Sequence, residues 1–290
     1  MKSHIYKLLL PSALLLLASA CLNAAPSPAT ENLEKQYLQA VQLLEQGGDQ
    51  NLQEAIQKLR EASDAGLPEA ANRLGYCLEK GIGVPANPSV AREYFKKAAD
   101  SGFAKAQFNY GLFLLKGTGG DKDPASGLDY LEKASQQGFS EADRILADLY
   151  FEGTKDVPKN PAKSFEHFMA LAKTGDPDAQ NYIATMYSYG IGTKLNRKEA
   201  VGWLFKAANQ GHSKAQAALG EFYQYASGGL PRDLVESIKF YMLSAKQGDV
   251  LGEKGMEQML ASATPENIAE ATNRVEEFEK KHQPPASRNP

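Results

Sequence analysis

Cysteine is nearly absent from this sequence, since only Cys21 and Cys77 occur among 290 residues. Two cysteines cannot make the disulfide framework that holds small secreted domains together, so the fold must be stabilised by packing. Histidine is also scarce: beyond the N-terminal segment, His167, His212 and His282 stand far apart without metal-ligand spacing. No cluster of lysine and arginine occurs, and the net charge is −3. The sequence therefore indicates no metal, no cofactor and no nucleic acid as a ligand.

Long apolar runs are also missing, except at the N-terminus. Lys2 and Lys7 precede an apolar stretch at residues 8–17, and three small residues stand between this stretch and Cys21. This order predicts a signal peptide over residues 1–20 and an exported protein in the periplasm, in the outer membrane as a lipoprotein, or secreted. Cys21 is either the lipidated first residue of the mature chain or part of an ordinary cleavage site. A lipid anchor at Cys21 is the one membrane attachment that we expect. A flexible linker is predicted over residues 21–32.

An internal repeat is the dominant feature of the remaining chain. The segment YFKKAADSGFAKAQFNYGLFLLKG at residues 94–117 returns in altered form as WLFKAANQGHSKAQAALGEFYQYA at residues 203–226. The two are 109 residues apart (203 minus 94), which is three times about 36, and such a period indicates a repeat protein. The same register places a glycine every 36 or 37 residues, at Gly66, Gly102, Gly138, Gly175, Gly211 and Gly248.

Each of these glycines separates two helical patterns. Before the glycine, small and apolar residues recur at offsets of −11, −8, −7 and −4, which lie on one stripe of an α-helix that we name helix B. The glycine is the expected stop of helix B. After it, a second pattern such as PEAANRLGYCLEKG predicts helix A, and Gly- and Pro-containing loops such as GIGVPANPS join A to the next B. The small residues at offset −11 are Ala55, Ala91, Gly127, Ser164, Ala200 and Ser237.

These columns resemble the Sel-one-like repeat, a relative of the tetratricopeptide repeat with longer loops. The signatures RLGYCLEKGIGV, YIATMYSYGIG and AVGWLFKAANQGHSKAQ carry the resemblance, which extends over residues 33–252. It implies an all-α fold, a right-handed α/α superhelix of about fourteen helices in seven antiparallel pairs. We predict capping helices at residues 253–282, a disordered tail at residues 283–290, and six repeats at approximately 33–70, 71–106, 107–142, 143–179, 180–215 and 216–252.

Catalytic chemistry finds little support in the residues. Cys77, His167 and Trp203 all occupy columns that are apolar or aromatic in other repeats, which indicates core positions. The Gly-Ile-Gly tripeptides at residues 81–83 and 190–192 follow helices rather than strands, so phosphate binding is not indicated. We therefore expect no enzyme. Some cysteine-rich relatives are described as binding or hydrolysing β-lactams, but they carry a cysteine pair in every repeat, whereas this chain has one repeat cysteine.

The resemblance implies a binding scaffold whose concave surface is lined by helix A. We expect an exported, non-enzymatic scaffold for protein or peptide partners, and the alternative is an outer-membrane scaffold associated with the cell wall or a polysaccharide. The oligomeric state is not indicated. Phe108 and Leu112 either contact the partner or pack on a neighbouring helix. The predicted binding residues lie on the helix A face opposite the core and are Asn72, Tyr76, Phe108, Leu112, Arg144, Asp148, Phe151, Asn181, Ser188, Tyr189, Glu221, Gln224 and Tyr225.

Overall fold

The computed structural model describes residues 28–282, which form fourteen α-helices and contain no β-strand. The predicted all-α class is therefore confirmed. The predicted signal peptide, residues 21–27 of the predicted linker, Cys21 and the predicted disordered tail lie outside the described residues. The linker prediction was wrong for residues 28–32, because α1 begins at Pro28. Proline and the acidic Glu31 in the first turn both favour a helix start.

The chain divides into two compact units between Phe139 and Ser140. In the first unit, consecutive helices pack as the hairpins α1–α2, α3–α4 and α5–α6, with further contacts from α2 to α3 and from α4 to α5. Its helices are α1 (Pro28–Gln46), α2 (Asp49–Asp64), α3 (Pro68–Lys80), α4 (Pro88–Asp100), α5 (Ala104–Lys116) and α6 (Pro124–Gln136).

The second unit repeats the same plan with the hairpins α7–α8, α9–α10 and α11–α12. The predicted A helices correspond to α3, α5, α7, α9 and α11. The B helices that follow them are α4, α6, α8, α10 and α12. The helices of this unit are α7 (Ser140–Glu152), α8 (Pro161–Thr174), α9 (Pro177–Tyr189), α10 (Arg197–Asn209), α11 (Ser213–Gln224), α12 (Leu234–Ala245), α13 (Val250–Leu260) and α14 (Pro265–His282).

An asparagine or aspartate begins each B helix from α4 to α12 and also ties it to the preceding A helix, whereas Gly48 precedes α2. The Asn196 side chain accepts a hydrogen bond from the backbone N–H of Glu199, which satisfies one of the free donors of the first turn of α10. The backbone N–H of Asn196 donates to the Tyr187 carbonyl of α9 at 2.8 Å. The same double role falls to Asn87, Asp123, Asn160 and Asp233.

Small residues bring the helices of a hairpin close together, as the sequence predicts. Ala91 and Ala200 of the −11 column are fully buried. Gly220 of α11 has no side chain, and a Cβ there would lie 2.9 Å from the Tyr241 ring of α12. Gly255 of α13 likewise leaves room for that ring, since a Cβ there would collide with its Cε1 and Cδ1. The Tyr241 ring is therefore held between two glycine-containing helices.

The C-terminal helices differ from the predicted last pair. Helix α14 packs along α12, and among the described helices it makes no comparable contact with α13. Thr264 caps the start of α14, since its hydroxyl and the Asn267 side chain each accept from the other residue's backbone N–H. On the packed face of α14, Val275 is buried, whereas Thr272 is exposed. Ala271, one residue earlier on the helix, is buried instead.

Candidate partner-binding surface

The predicted binding residues divide into three groups by exposure. Four are exposed, and all four lie on the A helices of the second unit or directly after one of them: Asp148, Tyr189, Glu221 and Tyr225. Tyr189 is 70% exposed and Tyr225 is 63% exposed, which is unusual for aromatic side chains. The half-buried residues are Tyr76, Phe108, Leu112, Arg144, Phe151, Asn181 and Gln224, and the buried ones are Asn72 and Ser188.

Asn72 and Ser188 do not belong to an accessible surface. The Ser188 hydroxyl donates to the Ala184 carbonyl of its own helix at 2.8 Å. The Asn72 side-chain oxygen accepts from the Asn109 amide at 2.8 Å, which links α3 to α5. Both polar groups are therefore satisfied inside the fold, and neither contacts a partner in this conformation.

Several half-buried aromatic side chains of the predicted face pack within their own unit. The Phe108 ring lies 5.2 Å from the Phe139 ring in the first unit. The Phe151 ring lies 6.3 Å from Phe168 and 6.0 Å from Tyr182 in the second unit. Phe139, the neighbour of Phe108, lies between α6 and α7. These rings leave only part of their surface for a partner.

Polar members of the face also have intramolecular partners. Arg144 forms an ion pair with Asp176 at the start of α9. The side-chain oxygen of Gln224 accepts from the Tyr241 hydroxyl at 2.9 Å. Burial raises the pKa of the Asp148 carboxyl, Glu152 adds to the rise, and Arg144 opposes it. A cationic group of a partner beside Asp148 would therefore stabilise the ionised carboxylate.

The candidate reactive residues occupy the core, as the sequence indicates. Cys77 is a buried free cysteine, and burial raises the pKa of its thiol to about 11. At neutral pH it is therefore a protonated thiol, which is a poor nucleophile. His167 is also buried, and its Nδ1 lies 2.9 Å from Oδ1 of Asp143, which sequence reasoning missed. Within residues 28–282 no three histidine, cysteine or acidic side chains converge as a metal site.

The loops that contain Gly-x-Gly serve packing between repeats. Gly192 has φ of +67°, and a Cβ at this position would collide with the Pro161 carbonyl at the start of α8. Gly83 similarly lies against the Leu52 carbonyl of α2 in the first unit. These close backbone contacts explain why glycine recurs in the loops.

A glutamine network links successive repeats and was missed in the sequence. Gln107 of α5 donates to the Ala99 carbonyl at the end of α4 and accepts from Gln137, which follows α6. The sequence does contain a pattern that could have predicted this network. One glutamine stands five residues after a repeat glycine, and its partner stands directly before the next repeat glycine. The same arrangement joins Gln180 to Gln210 and Gln216 to Gln247.

Comparison with known proteins agrees with this architecture. The Sel1 repeat family model, that is the Sel-one-like repeat, matches residues 68–103, 104–139, 140–173, 177–212 and 213–249. These five matches cover more than half of the chain, so the protein belongs to the Sel1 repeat family. The first predicted repeat, at residues 33–70, precedes the matches almost entirely, although α1 and α2 form a hairpin there.

Among solved structures, the chain is similar to a Sel1 repeat protein from Oxalobacter formigenes, with 28% identity and a TM-score of 0.58. That similarity covers 88% of this chain and 99% of the other. It is also similar to c5321, a protective antigen of uropathogenic Escherichia coli with an SLR fold, at 25% identity and a TM-score of 0.50. That match covers 87% of this chain and 62% of c5321. The chain therefore has the helical solenoid fold class of Sel1 repeat proteins.

Two curated relatives match shorter segments. The alginate biosynthesis protein AlgK of Azotobacter vinelandii is 32% identical over 124 residues, which is 43% of this chain and 26% of AlgK. The chitin synthase regulator SKT5 of Saccharomyces cerevisiae is 30% identical over 107 residues, which is 36% of this chain and 15% of SKT5. The matched segments thus span about a quarter of the first relative and less than a sixth of the second.

None of the described helices is both long enough and apolar enough to cross a membrane. Sel1 repeats generally mediate protein–protein interactions, and Sel1 repeat proteins are generally non-catalytic scaffolds. The exposed residues on the A helices are thus compatible with an interaction scaffold.

Proposed function

We propose that this protein is an exported, non-enzymatic scaffold that binds partner proteins or peptides through the face formed by its A helices. One observation carries the proposal: exposed side chains recur in register on that face of the second unit. Asp148 and Glu221 each stand ten residues after a repeat glycine, and Tyr189 and Tyr225 each stand fourteen residues after one. Exposed aromatic and charged side chains at repeated positions are typical of protein-recognition surfaces.

Export rests on the N-terminal sequence. The basic and apolar order of residues 1–20 supports passage across the inner membrane. The mature chain is then placed in the periplasm, held at the outer membrane by a lipid on Cys21, or secreted.

A polysaccharide-associated role is the second candidate. The names of both curated relatives refer to polysaccharide synthesis, alginate in one case and chitin in the other. In this version of the proposal, the bound partner is a protein component of a polysaccharide-synthesising or exporting assembly, and the chain itself has no catalytic role. The partner's identity separates this candidate from a general adaptor.

Reversing the charge of the A-helix face is expected to abolish partner capture from an extract of the bacterial cell envelope. The test variant carries Asp148→Lys and Glu221→Lys, which change two exposed positions without removing buried apolar area. A partner that complements the acidic face carries cationic groups opposite these positions. The introduced lysines would repel those groups, and such like-charge contacts disfavour binding strongly. The measurement is mass spectrometry of proteins retained by the immobilised wild type and variant.

The matched control carries Glu166→Lys and Glu277→Lys, which make the same change in net charge at exposed positions on α8 and α14. We expect it to retain the partners of the wild type. Loss of capture by the control and retention by the A-helix variant would place binding on another face. Absence of any specific protein on the wild type would overturn the scaffold proposal itself.

A further inference from the structure

Two segments of the second unit, each containing a loop, are basic. The chain as a whole is acidic, and no basic cluster was identified from the sequence. Residues 189–198 (YGIGTKLNRK) and 225–232 (YASGGLPR) contain Lys194, Arg197, Lys198 and Arg232 but no aspartate or glutamate. All four cations are exposed, and none takes part in an ion pair within the described part of the chain. We name these two segments the basic edge.

Direct contacts bring the two segments together. Leu195 folds back on the end of α9, since a Cβ on Gly190 would lie 3.3 Å from its backbone nitrogen. In the other segment, a Cβ on Gly228 would lie 2.6 Å from the Arg197 carbonyl. The loop after α11 therefore rests on the first turn of α10, which begins where the loop after α9 ends.

Three large apolar side chains are exposed on the basic edge. Tyr189 is 70% exposed, Leu195 is 60% exposed and Tyr225 is 63% exposed. Isolated exposed apolar residues are common, but a group of them rimmed by charges of one sign marks an interaction site. Tyrosine and arginine are also the residues that most often dominate binding energy at protein interfaces.

The acidic residues next to the basic edge do not neutralise it. Asp233 follows the second segment, and its carboxylate accepts the backbone N–H of Glu236 as the cap of α12. Glu199 directly follows the first segment in the first turn of α10 and is exposed. Glu221 lies on α11, four residues before Tyr225, which follows that helix. Counting the three carboxylates of Asp233, Glu199 and Glu221 against the four cations still leaves a net positive charge (4 minus 3).

From this juxtaposition we propose that the basic edge binds an extended acidic segment of a protein partner, in which carboxylates and apolar side chains occupy the same face. The carboxylates pair with the four cations, and the apolar side chains cover Tyr189, Leu195 and Tyr225. Alternate side chains of an extended segment point the same way, so a sequence in which acidic pairs and apolar pairs follow each other presents both kinds of side chain to the edge. A bilayer surface fits less well, because three apolar side chains give little area to insert. This inference rests on the proposed scaffold function and specifies the chemistry of the partner at the basic edge, whereas Asp148 and Glu221 on the A-helix face meet cationic groups of the partner.

The test is a binding titration with a fluorescein-labelled twelve-residue peptide that repeats the sequence Glu-Glu-Leu-Leu, followed by fluorescence anisotropy. The comparison peptide replaces every glutamate by glutamine. We expect saturable binding of the acidic peptide that weakens as salt is raised, because exposed charge pairs are screened over about 8 Å at physiological ionic strength. We expect no binding of the glutamine peptide.

Variants assign the binding to the basic edge. Two double variants are each expected to weaken binding about tenfold or more without shifting the melting midpoint. One carries Lys194→Glu and Arg232→Glu, and the other carries Tyr189→Ala and Tyr225→Ala. The charge control is Lys214→Glu with Lys254→Glu, two exposed lysines elsewhere in the second unit. The apolar control is Val250→Ala with Leu251→Ala, which are 57% and 63% exposed. Both controls are expected to bind as the wild type does.

Equal loss in the charge control would show that binding follows net charge alone, and the proposal would then be wrong. Binding of phosphatidylglycerol vesicles or of a polyuronate in place of the peptide, lost in the same edge variants, would assign the edge to another class of partner. If the edge variants still capture the wild-type partners from envelope extract, the scaffold function stands and the basic edge is not its site. If the wild type captures no protein, the scaffold function fails whatever the peptide does.

Discussion

Gly220→Ala is expected to lower the free energy of unfolding by about 1–3 kcal/mol. The added methyl group would lie 2.9 Å from the Tyr241 ring, which is too close for an ordinary contact. The ring cannot retreat without cost, because it is also in close contact with Gly255 of α13 and its hydroxyl donates to Gln224. Urea titration followed by circular dichroism measures the change.

Gly202→Ala provides the matched control, since it is the same substitution inside a helix of the same unit. A Cβ at Gly202 in α10 meets nothing within 4 Å. Alanine is favoured over glycine inside a helix, so this variant is expected to be more stable by about 0.5–1 kcal/mol. Equal effects at the two positions would show that α11 and α12 do not approach each other as described.

His167→Phe and Asp143→Leu are expected to be coupled, with a coupling energy of about 1–3 kcal/mol in a double-mutant cycle. The imidazole and the carboxylate are both buried and lie 2.9 Å apart, so removing one group forfeits a hydrogen bond that the interior cannot replace with water. The ring of His167 is also stacked on Tyr150 at 6.1 Å, and phenylalanine can preserve that packing. Thermal and urea unfolding of the four proteins give the cycle.

The exposed pair Lys280–Glu276 of α14 is the control for this cycle. Its side chains are 74% and 60% exposed, and its charges are 3.9 Å apart. Exposed helix pairs contribute about 0.3–0.5 kcal/mol, so we expect a coupling no larger than that. A coupling energy between His167 and Asp143 as small as this would contradict the hydrogen bond described between the two buried side chains.

The sequence was sufficient to predict the helices, because each column of the repeat indicates the same feature of a helix in several repeats. A glycine every 36 or 37 residues, small residues at offset −11 and an Asn or Asp before each B helix from α4 to α12 all agree on where helices stop and start. The exception is α14, whose apolar stripe faces α12. A stripe identifies the buried face of a helix but does not say which helix covers it.

The candidate surface was less predictable for the same reason. Placing a residue opposite the core of its own hairpin does not reveal whether the next repeat covers it. Asn72 is covered in this way by Asn109, and Phe151 by Tyr182, each from the following A helix. Side chains are exposed again at the last turn of α9 and at the end of α11. There Tyr189 and Tyr225 project beyond the packed parts of the two helices.

The most direct test of the central claim is site-specific photo-crosslinking in the producing bacterium. A photoreactive phenylalanine derivative is placed at Glu221 on A helix α11 and, in a second strain, at Glu166 on B helix α8, both exposed. The proposed function predicts that irradiation yields a defined heavier protein adduct from the Glu221 position and none from Glu166. An adduct from Glu166 alone, or equal adducts from both positions, would contradict partner binding through the A-helix face.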